Sequence, residues 1–165
     1  MNQCNYSLVI NWPQKALFNF VCDVDNAAYW QSGVIDAAWV GLERHSAGAL
    51  FNELCMVNEK LLVLCKEVTA CLPCQRRSVS WQEGGREMIH TLEFAGMGES
   101  TRVTSLLMVG PDNDDRESNE ELEESVHKRI VEDLEKLKQL LEEDAVVGPG
   151  EDVYLERISE RNYYQ

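Results

Sequence analysis

Residues Ser118–Glu143, SNEELEESVHKRIVEDLEKLKQLLEE, decide how this chain folds. Leu122, Val126, Ile130, Leu134, Leu137 and Leu141 recur at steps of three and four, so a helix gathers them into one apolar stripe. The opposite face is Glu, Lys and Arg. Ser118, with Glu121 three residues on, reads as a capping box at the head of that helix. A lone amphipathic helix cannot bury its stripe by itself, so the rest of the chain has to offer it an apolar face.

Upstream, from Gly33 to Gly110, the periodicity changes from helical to two. The alternation predicts strands over 34–43, 49–57, 60–71, 76–83, 87–95 and 101–109. The connections RHSAG, NE, LPCQ, EGGR and GMGES are short and polar or glycine-bearing. Links this short join antiparallel strands, because a parallel crossover takes a dozen residues or more. Before them, NYSLVINW (5–12) alternates as a half-buried strand. Pro13 stops it and opens a short helix carrying Ala16, Phe20 and Val24, and DNAAYW (25–30) predicts a second short helix with Asp25 as its N-cap.

INWPQKALFNFVCDVDNAAYW, GAL after the second strand, KEVTACLP, STRVT and EDLEKLKQLLEE occur in an order that resembles the START/polyketide-cyclase superfamily, which includes the birch-pollen allergen. The resemblance covers roughly residues 5–143. It implies an α+β helix-grip fold: a seven-stranded curved antiparallel sheet wrapped around a long C-terminal helix, with two short helices after the first strand. It assigns 1–145 to that domain and leaves 146–165 as an acidic C-terminal extension, a departure from a pattern that normally ends with the long helix. Function does not follow from the fold, since the superfamily spreads over lipid binders, cyclases, hormone receptors and co-chaperones.

Charge narrows the partners. Residues 1–110 carry 11 acidic and 8 basic side chains, whereas 111–165 carry 18 and 7 of the total net charge of −14. An acidic block of this kind repels phosphate backbones and anionic headgroups, so neither nucleic acid nor a membrane surface is expected as partner. No apolar run is long enough to span a bilayer, and the start lacks a basic, then apolar, export signal. With six cysteines, the expectation is a soluble cytoplasmic protein with free thiols.

Three strings invite chemistry. CLPC (71–74) falls between two strands with no helix following, so the thioredoxin-type activation of its first thiol has nothing to act through. Cys4, Cys22, Cys55 and Cys65 are single and supply no second pair for zinc. Structural thiols are expected, with a disulfide and metal or redox chemistry as the alternatives. DNDDRESNEELE has Arg116 and Glu117 where a calcium loop wants an acceptor and a glycine. His90 alternates with Met88, Leu92 and Phe94, a phase that points it at the concave face, and it is the one acid/base candidate.

The same alternation places Trp39 with Ile35 and Ala37, and sets Leu54 and Met56, with Asn52, inward and opposite Glu53. Val79 and Trp81 form another inward set, as do Val103, Ser105 and Leu107. With Ile130, Leu134 and Leu137 of the helix stripe, these residues compose an apolar enclosure holding His90, Asn52 and Ser105 as polar groups, which is what a small-molecule pocket requires. The competing reading is a core filled by its own side chains. The leading expectation is a binder of a hydrophobic or aromatic molecule (lipid, polyketide or isoprenoid-like) at Trp39, Asn52, Leu54, Met56, Trp81, His90, Leu92, Ser105, Leu107, Ile130, Leu134 and Leu137. No cofactor or metal is expected. A polyketide cyclase or dehydratase using the same cavity is the enzymatic alternative, and a co-chaperone-like interaction module is the third; a homodimer is left open as a partner.

Overall fold

A computed structural model describes residues 2–57, 59–111, 116–143, 145–147 and 153–155. The chain runs β1 (Asn2–Ile10), α1 (Gln14–Cys22), a 3-10 turn (Val24–Asn26), α2 (Ala27–Trp30), β2 (Val34–Val40), β3 (Leu50–Val57), β4 (Lys60–Leu72), β5 (Arg76–Glu83), β6 (Arg86–Gly96), β7 (Thr101–Val109), α3 (Arg116–Glu143) and a short hairpin, β8 (Ala145–Val147) with β9 (Val153–Leu155). The seven long strands form one antiparallel sheet in the order β1-β7-β6-β5-β4-β3-β2. This is the helix-grip α+β fold that the resemblance implies, with the antiparallel strands and the long helix that the alternation and the stripe predict.

Local chemistry moves several boundaries. Asp23, not Asp25, caps the turn after α1: its carboxylate accepts the Asp25 backbone N–H at 3.0 Å. α3 begins at Arg116, so Ser118 lies inside its first turn rather than at the cap. β2 stops at Val40, three residues short of the predicted end, because Gly41 takes a positive φ of 81°. Residues 112–115 of the acidic loop and 156–165 of the tail lie outside the described residues.

Leu72 to Gln75 close the β4–β5 hairpin as a turn. Gln75 donates its N–H to the Leu72 carbonyl at 3.0 Å, Pro73 fixes the first central φ, and Cys74 takes a φ of 65° at the second. Gln14 of α1 holds that strained residue by donating its side-chain amide to the Cys74 carbonyl at 2.7 Å. All six cysteines are free thiols, and among the described residues no three His, Cys, Asp or Glu side chains converge as a metal would need.

α3 lies across the concave face with Val126, Leu134, Leu137 and Leu141 buried against the sheet. Its C-terminal half is tied to β1 and the residues that follow it. Trp12 donates its indole N–H to the Leu141 carbonyl at 2.8 Å, and Lys138 donates to the Val9 carbonyl at 2.7 Å. Further along, Arg129 forks onto Glu83 of β5 at 2.8 and 3.2 Å. At the β5–β6 turn Gly84 lies so close to α3 that a Cβ there would sit 2.9 Å from Leu122. Among the described residues no helix is long and apolar enough to cross a membrane.

Candidate functional site

Between β3–β6 and the pair α2 and α3 the core does not close. A cavity of about 90 Å³ remains there, lined by Val79, Trp81, His90 and Leu92 from β5 and β6, Phe51, Glu53 and Lys66 from β3 and β4, Trp30 from α2, and Arg129, Ile130, Asp133 and Leu134 from α3. That is room for a few waters or a compact ligand, below the several hundred Å³ typical of drug-sized sites.

Its walls are less oily than the sequence predicts. The β3–β2 and β3–β4 registers put Phe51, Glu53 and Cys55 inward. Asn52, Leu54 and Met56 therefore face the convex side, the reverse of the predicted phase. Leu54 and Asn52 are half-buried there and Met56 is exposed. Glu53 is 2 % exposed and tolerates burial because Lys66 reaches it at 2.6 Å, while the ammonium also sits 4.3 Å from the centre of the Trp81 ring. A charge that reads as outward in isolation turns inward once its partner arrives from the next strand. A bulge between Val34 and Asp36 likewise turns Ile35 away from the face of Ala37 and Trp39, leaving it half exposed.

Of the predicted site residues, Trp81, His90, Leu92, Ile130 and Leu134 line the cavity. Trp39 stands behind it, edge-on to Phe51 with ring centres 5.4 Å apart. Ser105 is fully buried and hydrogen-bonds His90 Nε2 at 2.7 Å. Leu107 and Leu137 belong to the packed core. Sequence reasoning missed Phe51, Glu53, Lys66, Arg77, Arg129 and Asp133. The signal that could have found them is Lys66 and Arg77, two inward-phase cations in neighbouring strands that demand partners.

The electrostatics reassign the proton chemistry. Burial, then the charges of Lys66, Arg77 and His127, push His90 down to about 3, so its imidazole is neutral at ordinary pH. Burial raises Asp133 to about 6, against the opposing pull of the Ser32 hydrogen bonds and Arg129; Ser32 donates its backbone N–H to the carboxylate at 2.7 Å. Glu83, by contrast, is held below the usual carboxylate range: burial works against this, but the Arg129 fork and the Trp81 indole outweigh it. The wall thus holds one locked ion pair, Glu53–Lys66, one latch, Arg129–Glu83, and one carboxyl that titrates near neutrality.

No family model and no curated protein sequence matches the chain. Solved structures do. The di-domain ARO/CYC BexL from the BE-7585A biosynthetic pathway superposes with a TM-score of 0.74 at 14% identity over 87% of this chain, which spans about half of BexL (48%). A START superfamily protein from Mycobacterium smegmatis gives 0.67 at 12% identity, covering 84% of this chain and 98% of its own. DynU16, from the dynemicin biosynthetic locus, gives 0.61 at 15%, covering 87% and 48%. With a curved seven-stranded sheet gripping one long helix, the chain has the START/polyketide-cyclase-like fold.

Proposed function

We propose that the protein binds a compact, partly apolar small molecule in the cavity between β3–β6 and α2 with α3. The observation that carries this reading is the hollow itself, walled on several sides by apolar groups (Phe51, Val79, Leu92, Ile130) yet ringed by charged side chains. A core evolved only for stability would close such a gap, because a void forfeits contacts and a buried ion pair seldom beats well-packed apolar side chains. Binding rests on apolar burial at about 25 cal/mol per Å², with polar wall groups fixing orientation. Val79→Phe fills the hollow and provides the test. Wild-type protein should gain melting temperature with a panel of small aromatic and polyketide-like compounds, and the variant should gain none while remaining folded. Equal shifts in both would place the binding elsewhere.

A second reading, a cyclase or dehydratase of the same cavity, is favoured by Asp133. A carboxyl poised near 6 and lining a cavity suits general acid–base work, where a catalytic group is best matched to the operating pH. Neutral His90 would then orient a substrate oxygen rather than exchange protons as an imidazolium. Asp133→Asn keeps an oxygen for Ser32 and removes the proton exchange. It should abolish turnover on a true substrate while leaving binding intact.

A further inference from the structure

If the cavity is a binding site as proposed above, the charges on its wall specify what it takes. Three permanent cations line it, and two are matched: Lys66 by Glu53 at 2.6 Å and Arg129 by Glu83 at 2.8 Å. Arg77 is not. Its side chain is 8 % exposed, no carboxylate among the described residues lies within ion-pair reach of it, and its Nε has no hydrogen-bond partner.

The neighbours of Arg77 do not neutralise it. Its guanidinium lies 5.3 Å from the centre of the Phe51 ring, which offers only a quadrupole. It also pulls the Cys22 thiol toward ionisation, but burial outweighs Arg77 and pushes that thiol up to about 11, so it stays protonated. His90 is neutral. Asp133, the one other carboxyl on the wall, accepts the Ser32 N–H, and the cations that act on it are Arg129 and Lys136 rather than Arg77. A guanidinium cannot shed its proton, and a buried cation without a counter-ion is strongly unfavourable. A second donor on the same wall is also unmet: Trp30 is buried, and its indole N–H has no acceptor among the described residues.

We propose that the occupant supplies the missing acceptor: a compact organic monoacid whose carboxylate docks on Arg77 and accepts from the Trp30 indole, with its apolar body against Phe51, Val79 and Leu92. One unmatched positive charge calls for one negative charge. A dianion such as a phosphate monoester would leave a buried charge of its own unpaired. The roughly 90 Å³ of free space limits the body to about one small ring.

The experiment is calorimetric titration of the full chain with benzoate and with benzamide, which share a shape and differ in charge, in wild type, Arg77→Met and Arg77→Gln, alongside thermal melts of each. Benzoate should bind wild type at least about tenfold more tightly than benzamide. Both variants should lose that preference, and Arg77→Met should melt no lower than wild type, since it removes an uncompensated buried charge. Equal binding of the two probes overturns the acid and leaves the cavity reading standing. Binding of neither overturns both. A variant that melts well below wild type makes Arg77 a structural cation and overturns the proposal even where benzoate binds.

Discussion

The two ends of the sheet use the same alternation to opposite effect. Where β1, β7 and the ends of β6 meet α3, the core is filled: Ile10, Met88, Val103, Leu107, Leu137 and Leu141 are all essentially inaccessible. Where β3, β4 and β5 face α2 and the middle of α3, inward positions hold Glu53, Lys66 and Arg77 among the apolar groups, and a cavity remains. On the convex side of this second region Leu61 and Val63 are 60 % and 65 % exposed, whereas the first region exposes little of its apolar surface. One half is built for stability, and the other gives up packing to keep space and charge. Fold and site therefore have separate addresses in one small domain, and mutations can tell them apart.

Matched truncations break the comparison most forcefully. Leu107→Ala in the filled half should cost about 4 kcal/mol by urea unfolding, because a tight core cannot collapse around the loss, whereas Leu92→Ala beside the cavity should cost about 2 kcal/mol. Equal costs would mean that the second half is as densely packed as the first. Next in size, Glu53→Ala should cost about 3 kcal/mol by leaving Lys66 buried without its partner, and the double change Glu53→Leu with Lys66→Met should recover most of it.

The pH dependence is expected to be smaller. The Asp133 carboxyl has a folded pKa raised to about 6 from an ordinary value of 3.8, so the folded state holds this proton more tightly than the unfolded chain. Its contribution to stability is therefore fully present below about 3.8 and is lost as pH rises through 6. Asp133→Asn should flatten the stability profile across that window and stabilise the protein at neutral pH, by on the order of 2 kcal/mol. A variant whose denaturation midpoint keeps the wild-type slope across the window would remove Asp133 from the account. At the small end, Val63→Thr on the open convex face should change stability by no more than about 0.5 kcal/mol.

The filled half was legible in the sequence and the open half only in part. In β6 and β7, Met88, Phe94, Val103 and Leu107 alternate with polar neighbours, so phase and burial agree, and the α3 stripe names its own inward face. β3 breaks that agreement. Its inward residues include Glu53, and its outward ones include Leu54 and Met56, so hydropathy alone assigns the strand to the wrong face. What fixes its phase is non-local: Lys66 pairing across the ladder and the Trp81 ring beneath it. The bulge at Ile35 adds a one-residue shift that the hydropathy of β2 does not announce. Arg77 and Asp133 were passed over for the same reason, since a charge on a strand or on the polar side of a helix reads as solvated until the opposing element is in place.

The four tryptophans allow the central claim, an open half beside a filled one, to be tested in one titration. Trp30 and Trp81 line the cavity, Trp39 stands behind Phe51, and Trp12 is fixed in the filled half by the Leu141 carbonyl. Indole N–H resonances followed by two-dimensional NMR during addition of benzoate should move for Trp30 and Trp81 and stay in place for Trp12. A titration in which Trp12 moves while Trp30 and Trp81 remain still would contradict the account.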